Sequence, residues 1–373
     1  MKTENKKTKK KVNKVKIIIF SAVGLILTLV VAVVIFVYTM LDKMNYVPLV
    51  EDYTILEETK EHEEDDFEEP TVADSSQDEI NEYQNAVENV IANQDIELPD
   101  LGDIYNIMLI GTDERKIGGS SRSDSMILVS INKKSKQIVF TSFMRDIYVK
   151  IPNKGFYKLN ASYAYGGVEL LFDTMEYNFS IYPEKYIQVN FMSFVKVVDI
   201  LGGVEVKVQE EELYWLNQYI NANNLILGED PNSGYLSFAN GSPQLLSGKQ
   251  ALAYSRIRYV GNADFERTQR QRRVIDAIFK EMQTTDPATL IELFNEILPE
   301  VTTNIPKDEF LELICLLPEL SNYEMVSHSV PNYDTKAFKF LGINGDSFLA
   351  LDLDVYIPYI YDTIYPRSES EIE

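Results

Sequence analysis

The sequence predicts a three-layer α/β/α domain with a central mixed β-sheet, preceded by one transmembrane helix and an acidic linker. Three observations predict it. Positions 17–41 form an apolar run without a charge. A strongly acidic stretch follows. From Ile104 onward, short strand-like segments alternate with longer segments of helical period. The first of them, 104–110, is apolar almost throughout, as a strand buried on both faces requires.

The N-terminal tail, 1–16, holds eight lysines against one glutamate, although the 373-residue chain carries a formal charge of −23. Everything beyond the tail is therefore strongly acidic, which disfavours direct nucleic-acid binding, an interaction that needs a basic footprint. At about 1.5 Å per residue, the run at 17–41 is long enough to cross a hydrocarbon core of about 30 Å with some tilt. It exceeds the ~7–15-residue core of a cleaved signal peptide and lacks a small-residue cleavage site. Lysines crowd its N-terminal side, so the positive-inside rule places 1–16 in the cytoplasm and 42–373 outside. The expectation is a single-pass cell-membrane protein.

Residues 42–100 read as an acidic extracellular linker. Positions 51–70 alone contain eleven acids and one lysine. Such a segment buries too little apolar surface to offset its conformational entropy, and like charges extend it. A short helix at 78–93 is compatible with Ile80, Tyr83, Val87, Val90 and Ile91, which recur at helical spacing and suit packing on the next domain.

The folded domain is expected at 101–366, with a tail at 367–373. After the strand at 104–110, segments 126–131 and 138–143 form a hairpin around the turn-like NKKSKQ. A helix is expected at 160–178 with Gly166 and Gly167 as its weak point. Then come a strand at 186–190, a helix at 191–200 and a strand at 204–208. Residues 209–247 are irregular apart from a helix near 210–222. Residues 251–259 read as extended. A helix follows at 265–282 with Asp264 as its N-cap. Helices near 287–298 and 307–317 precede a strand-and-loop ending. The single cysteine, Cys315, excludes an intrachain disulfide, and its apolar neighbours read it as a small buried hydrophobe.

Three constellations carry chemistry. The first is GTDER at 111–115 followed by SRSDSMILV at 121–129. Asp113 lies just past the carboxyl end of the first strand, where open α/β sheets gather ligands. A hairpin brings Asp124 towards it. Two hard oxygen ligands with phosphate oxygens and water suit Mg²⁺. Equally, one acid is a turn residue and the other a salt-bridge partner. Arg122 sits on the same side as Asp124 in an extended chain. The second is FMRD at 143–146, which projects Arg145 over the sheet end. The third spans 251–275. In an extended segment Arg256 and Arg258 point the same way. Arg267, Arg270 and Gln271 share one face of a helix, in its first two turns, where anions are favoured. Arginine grips phosphate oxygens with a planar fork of donors. An anion site and a structural ion-pair network with Asp264 and Glu266 are both compatible with this pattern. Arg272 and Arg273 are expected to face solvent or lipid headgroups.

The only histidines are His62 and His328, which argues against a His-based triad or a zinc site. There is no Walker A loop and no GxGxxG. Phosphate chemistry in this chain would rest on arginine, Mg²⁺ and carboxylates.

The ordered blocks NIMLIGTDER, SRSDSMILVSI, FTSFMRDIYVKIP, KLNASYAYGG, VDILGGVEV, LLSGKQALAYSRIRY and DFERTQRQRRVIDAI run from Asn106 to Ile278. In them the chain resembles the LytR–CpsA–Psr family of membrane-anchored cell-wall enzymes. A weaker likeness reaches about residue 355. The resemblance implies transfer of an anionic glycopolymer, such as wall teichoic acid or capsular polysaccharide, from an undecaprenyl-pyrophosphate carrier to peptidoglycan in a Gram-positive bacterium. It implies a phosphodiester product, Mg²⁺ or Mn²⁺ as cofactor, and a prenyl pocket between sheet and helices. Carried over position by position, Asp113 and Asp124 match the metal acids. Arg122, Arg145, Arg256, Arg258, Arg267, Arg270 and Gln271 match the pyrophosphate shell. Of these, Arg145, Arg256 and Arg258, with Asp264 orienting the arginines, are the implied catalytic set. Lys158 and Asn160 fall in a matching block without an assigned role. Phe143-Met144 departs from the family's usual Ile-Pro before Arg-Asp, which bears on the placement of Arg145. A prenyl-pyrophosphate hydrolase and a non-catalytic, regulatory polymer-binding protein are the alternatives.

Overall fold

The computed structural model describes residues 36–56, 72–93, 104–112, 123–261 and 264–364. In chain order the elements are β1 (Asn45–Tyr46), α1 (Gln77–Ala92), β2 (Ile104–Thr112), β3 (Ser123–Asn132), β4 (Gln137–Phe143), β5 (Tyr148–Ile151) and β6 (Gly155–Lys158). Then follow α2 (Leu159–Phe179), β7 (Lys185–Asn190), α3 (Phe191–Ile200), β8 (Val204–Lys207), α4 (Glu210–Leu227), β9 (Pro243–Leu246), α5 (Gly248–Arg256) and α6 (Asp264–Thr284). The last are α7 (Pro287–Ile297), β10 (Thr302–Thr303), α8 (Lys307–Leu320), β11 (Glu324–Val330), β12 (Phe338–Ile343), β13 (Asp346–Leu351) and α9 (Leu353–Ile364).

A seven-stranded mixed sheet runs in the order β1-β10-β7-β2-β3-β4-β11. Its centre is the antiparallel meander β2-β3-β4, with Ile110 opposite Met126 and Met126 opposite Phe143. β7 and β11 add in parallel, at Leu109↔Ile187 and Phe143↔Val330. Alternation along the strands decides the layers. Met108, Met126 and Leu128 join one core with Leu171 and Phe172 of α2 and Tyr356 of α9. Ile127, Ile131 and Phe140 point the other way, to Ile275 and Phe279 of α6 and Leu313 of α8. The three-layer expectation therefore holds. A further core joins α3, α4, α5 and the β8–β9 ladder to α6 through Val198, Leu216, Tyr254 and Val274. In α2 the helical backbone is interrupted at Gly166 and Gly167, the expected weak point. Gly167 adopts φ 71°, a conformation open to glycine at little cost.

Several expectations need correcting. The linker at 42–100 is in part folded structure. β1 pairs with β10, the Val47 N–H donates to the Thr303 carbonyl at 2.9 Å, and Leu49, Tyr53 and Ile55 pack on the main core. Apolar side chains spaced among the acids supply the burial that charge counting overlooks. Helix α1 forms with a Ser76–Glu79 capping box, buries Tyr83 and Val87, and donates the Tyr83 hydroxyl to the Tyr148 carbonyl at 2.7 Å. Most of the apolar run, 17–35, lies outside the described residues. Its last residues, 36–41, are helical, and Met40 and Leu41 pack with Phe294, Leu298 and Phe310. Among the described residues no helix is long and apolar enough to cross a membrane. Residues 251–256 are helical rather than extended, because Ser247 and Gln250 form a capping box ahead of them; extended backbone begins only at Ile257. Helix α4 runs on to Leu227 and stops at Gly228 in the left-handed region. Cys315 is exposed. It shares the outer face of α8 with Glu312 and Glu319, while Leu313 and Leu316 turn inward.

Candidate functional site

The site lies along one edge of the sheet, where β2, β4, β7 and β11 end and β3 begins. There Thr112 stands opposite both Ser123 and Asn190, and Phe143 opposite Val330. The turn after β4 carries Arg145 and Asp146. Main-chain bonds hold this turn: Met144 N–H to Val330 O at 2.9 Å, Asn160 N–H to Arg145 O at 3.2 Å, and Leu159 N–H to Ile147 O at 2.9 Å. Met144 is buried, so the departure from Ile-Pro at 143–144 leaves Arg145 on a tethered backbone.

Seven charged side chains meet at this edge. Arg145 pairs with Asp124 through Nη1 at 3.3 Å and with Asp146 through Nε at 3.4 Å. Lys158 Nζ reaches Asp146 at 3.0 Å. From the other side, Arg258 Nε lies 3.5 Å and Arg267 Nη2 2.9 Å from Asp264. Four cations thus face three carboxylates, a surplus of one positive charge among the described residues. All four cationic side chains are at most 11% exposed. In such a setting charge interactions are far stronger than in water.

Protonation equilibria report the same field. Burial opposes ionisation of Asp146, yet Arg145, Lys158, Arg267 and Arg258 outweigh it and hold the carboxyl far below the usual carboxylate range. Arg267 has its proton affinity lowered by burial and by Arg258 and Arg145, against the opposing pull of Asp264. Its Nε is buried without a hydrogen-bond partner, as is Asn160 Oδ1. A buried N–H on a charged group, left unpaired, costs free energy that an anion's oxygen recovers. Perturbed groups grouped in this way mark a functional site.

Expected site residues fall into three groups. Arg145, Arg258, Arg267, Asp264 and Asp124 come together. Asp113 and Arg122 lie outside the described residues. Arg256 and Arg270 are placed separately, and Gln271 follows one turn along α6. Arg256 and Arg258 do not point the same way, because Arg256 ends helix α5. It donates to Asn223 Oδ1 at 2.7 Å and lies 5.3 Å from the Phe191 and Tyr219 ring centres, at the β7 end of the edge. Arg270 turns away from the cluster: it donates to Glu212 Oε1 at 2.7 Å, Ile257 O at 3.0 Å and Val260 O at 3.1 Å, and is 1% exposed. It is a buried tie between α6, α4 and the 257–260 segment. Gln271 is partly buried one turn beyond Arg267. Arg272 does not face solvent; its Nη1 donates to the His328 carbonyl at 3.0 Å, and burial lowers its pKa to about 10. Arg273 is 47% exposed, as expected.

The Asp146–Lys158 pair was not legible in the sequence as a site. It depends on the β5–β6 hairpin, which sets Tyr148 opposite Lys158 and returns the chain to the turn after β4. Among the described residues no group of three or more His, Cys, Asp or Glu is placed to hold a metal ion. Of the expected acid pair only Asp124 is described; its carboxylate is 28% exposed beside Arg145.

Comparison with known proteins bears on this geometry. A Bacillus licheniformis protein named polyisoprenyl-teichoic acid–peptidoglycan teichoic acid transferase TagU is 34% identical over 237 residues, 63% of this chain and 70% of that protein. An Enterococcus faecalis protein of the same name is 34% identical over 208 residues, 55% of this chain and 61% of that protein. The Staphylococcus aureus regulatory protein MsrR is 35% identical over 204 residues, 54% and 56% of the two chains. A solved structure of TagT bound to LI-WTA matches with a TM-score of 0.56 at 26% identity, over 73% of this chain and 94% of that one. Another, of YwtF (TagT) with bound octaprenyl pyrophosphate lipid, matches with a TM-score of 0.52 at 25% identity, over 73% and 94%. The model of the LytR_cpsA_psr family matches residues 67–353, which take in every strand of the sheet but β1, the charged edge and α6, and the chain belongs to that family.

Proposed function

We propose that this chain transfers an anionic glycopolymer from a polyprenyl-pyrophosphate carrier to peptidoglycan, forming a phosphodiester. The observation that carries the proposal is the cluster of Arg145, Lys158, Arg258 and Arg267, buried, in positive surplus, and with Arg267 Nε unpaired. The names of the relatives and the lipid-linked ligands of the TagT structures support the substrate class.

In this reaction an acceptor hydroxyl oxygen attacks the sugar-linked phosphorus. One P–O bond forms as the bond to the prenyl-linked phosphate breaks. That phosphate leaves with the electron pair, and the hydroxyl proton is released. Little of this is covalent work for the protein; positioning and charge stabilisation dominate. Arg145, Lys158, Arg258 and Arg267 bind the phosphate oxygens. Asp146 orients Arg145 and Lys158, and Asp264 orients Arg258 and Arg267. Arg256, beside Asn223, Phe191 and Tyr219 at the β7 end, serves a different part of the substrate from Arg145. Asp124, with Asp113 from the adjoining segment, would hold Mg²⁺, which would supply further positive charge at the pyrophosphate. The run at 17–41 holds the domain at the outer face of the cell membrane, where a prenyl-linked donor resides.

The test is transfer by the purified chain from a synthetic prenyl-pyrophosphoryl glycan to peptidoglycan fragments, with Mg²⁺ present. A phosphodiester-linked product is expected from the parent chain, and none from Arg258→Ala or Arg267→Ala. Full transfer by the Arg256→Ala, Arg258→Ala double variant overturns the site. Release of glycan phosphate without acceptor favours a hydrolase. Tight binding without turnover favours the regulatory reading that the name MsrR carries.

A further inference from the structure

A cavity of about 190 Å³ opens on the other flank of α6, between its first turns, the end of β11 and α9. It is many times the ~10–15 Å³ that one water needs. Helix α6 is shared between the two sites. Asp264 and Arg267 serve the charged cluster, while Phe265, Gln269 and Arg272 line the cavity. The two are thus separated by about 10 Å, the width of a helix.

The chemistry of the lining differs from that of the cluster. One wall is aromatic: Phe265 and Tyr333 pack edge to face with ring centres 5.1 Å apart, and Tyr333 is 44% exposed. The opposite wall is a neutral hydrogen-bonding array. Tyr359 Oη meets His328 Nδ1 at 3.1 Å and accepts from Asn332 Nδ2 at 3.2 Å. Glu266 and Asp334 outnumber Arg272 in the lining, so the cavity has no positive surplus with which to hold a second phosphate. Burial and nearby Arg272 lower the pKa of His328, which keeps the ring uncharged at neutral pH. An uncharged ligand rich in hydroxyl and amide groups, with an apolar face for the tyrosine ring, matches this lining.

We propose that this cavity is a saccharide subsite for the acceptor glycan. The proposal rests on the transferase reading above. Its charge supports the acceptor over the donor: the donor polymer is anionic, whereas the lining carries no positive surplus. The cavity lies at the β11 end of the sheet edge, whereas Arg256 and the α3–α5 core lie at the β7 end.

The experiment titrates the full chain with two probes by calorimetry: an N-acetylglucosamine disaccharide and farnesyl pyrophosphate. Tyr333→Ala and, separately, Gln269→Ala are expected to weaken disaccharide binding about tenfold, while farnesyl pyrophosphate binding stays unchanged. Arg267→Ala is expected to do the reverse. Two variants on different elements guard against a folding defect in one of them. If the disaccharide does not bind, or binds equally to both variants, while farnesyl pyrophosphate still binds, the saccharide subsite is overturned and the transferase reading survives. Binding of a stem peptide in place of the disaccharide overturns it as well. Failure of the parent chain to bind farnesyl pyrophosphate overturns the transferase reading, and the acceptor assignment falls with it.

Discussion

Arg270 donates its Nε–H to Glu212 Oε1 at 2.7 Å, with both side chains only 2% exposed. The same guanidinium holds the carbonyls of Ile257 and Val260, which flank Arg258. A buried ion pair therefore suspends the segment that brings Arg258 to the site. Removing one partner leaves the other charge buried and alone, at a cost of about 3–5 kcal/mol. Arg270→Ala is thus expected to lower the midpoint of urea unfolding sharply. Arg267→Ala, whose partner Asp264 keeps Arg258, is expected to shift it far less. Equal midpoints for the two variants would contradict the assignment of Arg270 to structure and Arg267 to function.

Asp264 accepts from Arg267 and faces Arg258, so its replacement by Asn keeps the shape and removes the charge that orients both. Transfer is expected to fall by about 10²–10³, the scale seen when one preorganised electrostatic contact is lost. Thermal stability should fall as well, because the buried Arg267 loses its carboxylate partner. Steady-state transfer kinetics beside a melting curve separate the two effects.

Asp146 contributes a pH dependence whose sign follows from its environment. Its carboxyl ionises at lower pH in the folded chain than in the unfolded one, through Arg145, Lys158, Arg267 and Arg258. The unfolded chain therefore takes up the proton first as pH falls. The stabilisation is complete above the unfolded value of about 4 and declines below it. Urea midpoints measured between pH 6 and pH 2 should fall less steeply in Asp146→Asn than in the parent. Parallel curves would show that Asp146 is not coupled to folding.

Chelation of divalent ions is expected to abolish transfer, and Mg²⁺ or Mn²⁺ to restore it. Asp124→Asn should raise the metal concentration needed for half-maximal rate by about tenfold or more, as loss of one of few protein ligands does. An unchanged metal requirement in that variant would remove Asp124 from the metal site and leave it solely as the partner of Arg145.

Cys315 offers a direct check on the outer face of α8. As the sole cysteine, and exposed, it should react with one equivalent of a maleimide in the folded chain. Labelling that requires denaturant would restore the buried placement its apolar neighbours suggested.

Local pattern was enough to determine the core of this protein. The apolar run of β2, the β3–β4 hairpin, the glycine break in α2 and the amphipathic α6 all follow from periodicity and turn chemistry within a few residues of each other. The gathering of Arg145, Arg258, Arg267 and Asp264 was legible only through the family resemblance, since local pattern left them in separate constellations. Tertiary structure alone decided which side chain meets which across long separations. Arg267 and Arg270 lie three residues apart on one helix and look alike in sequence, yet Glu212, on α4, claims one of them. Lys158 reaches Asp146 only because β5 and β6 fold back. Residues 45–56 dock on the domain because β10 offers an open edge and the main core has room for Leu49 and Tyr53. Periodicity records which face of an element is apolar. It does not record what lies against that face, because the partner is chosen by packing and charge balance over the whole fold.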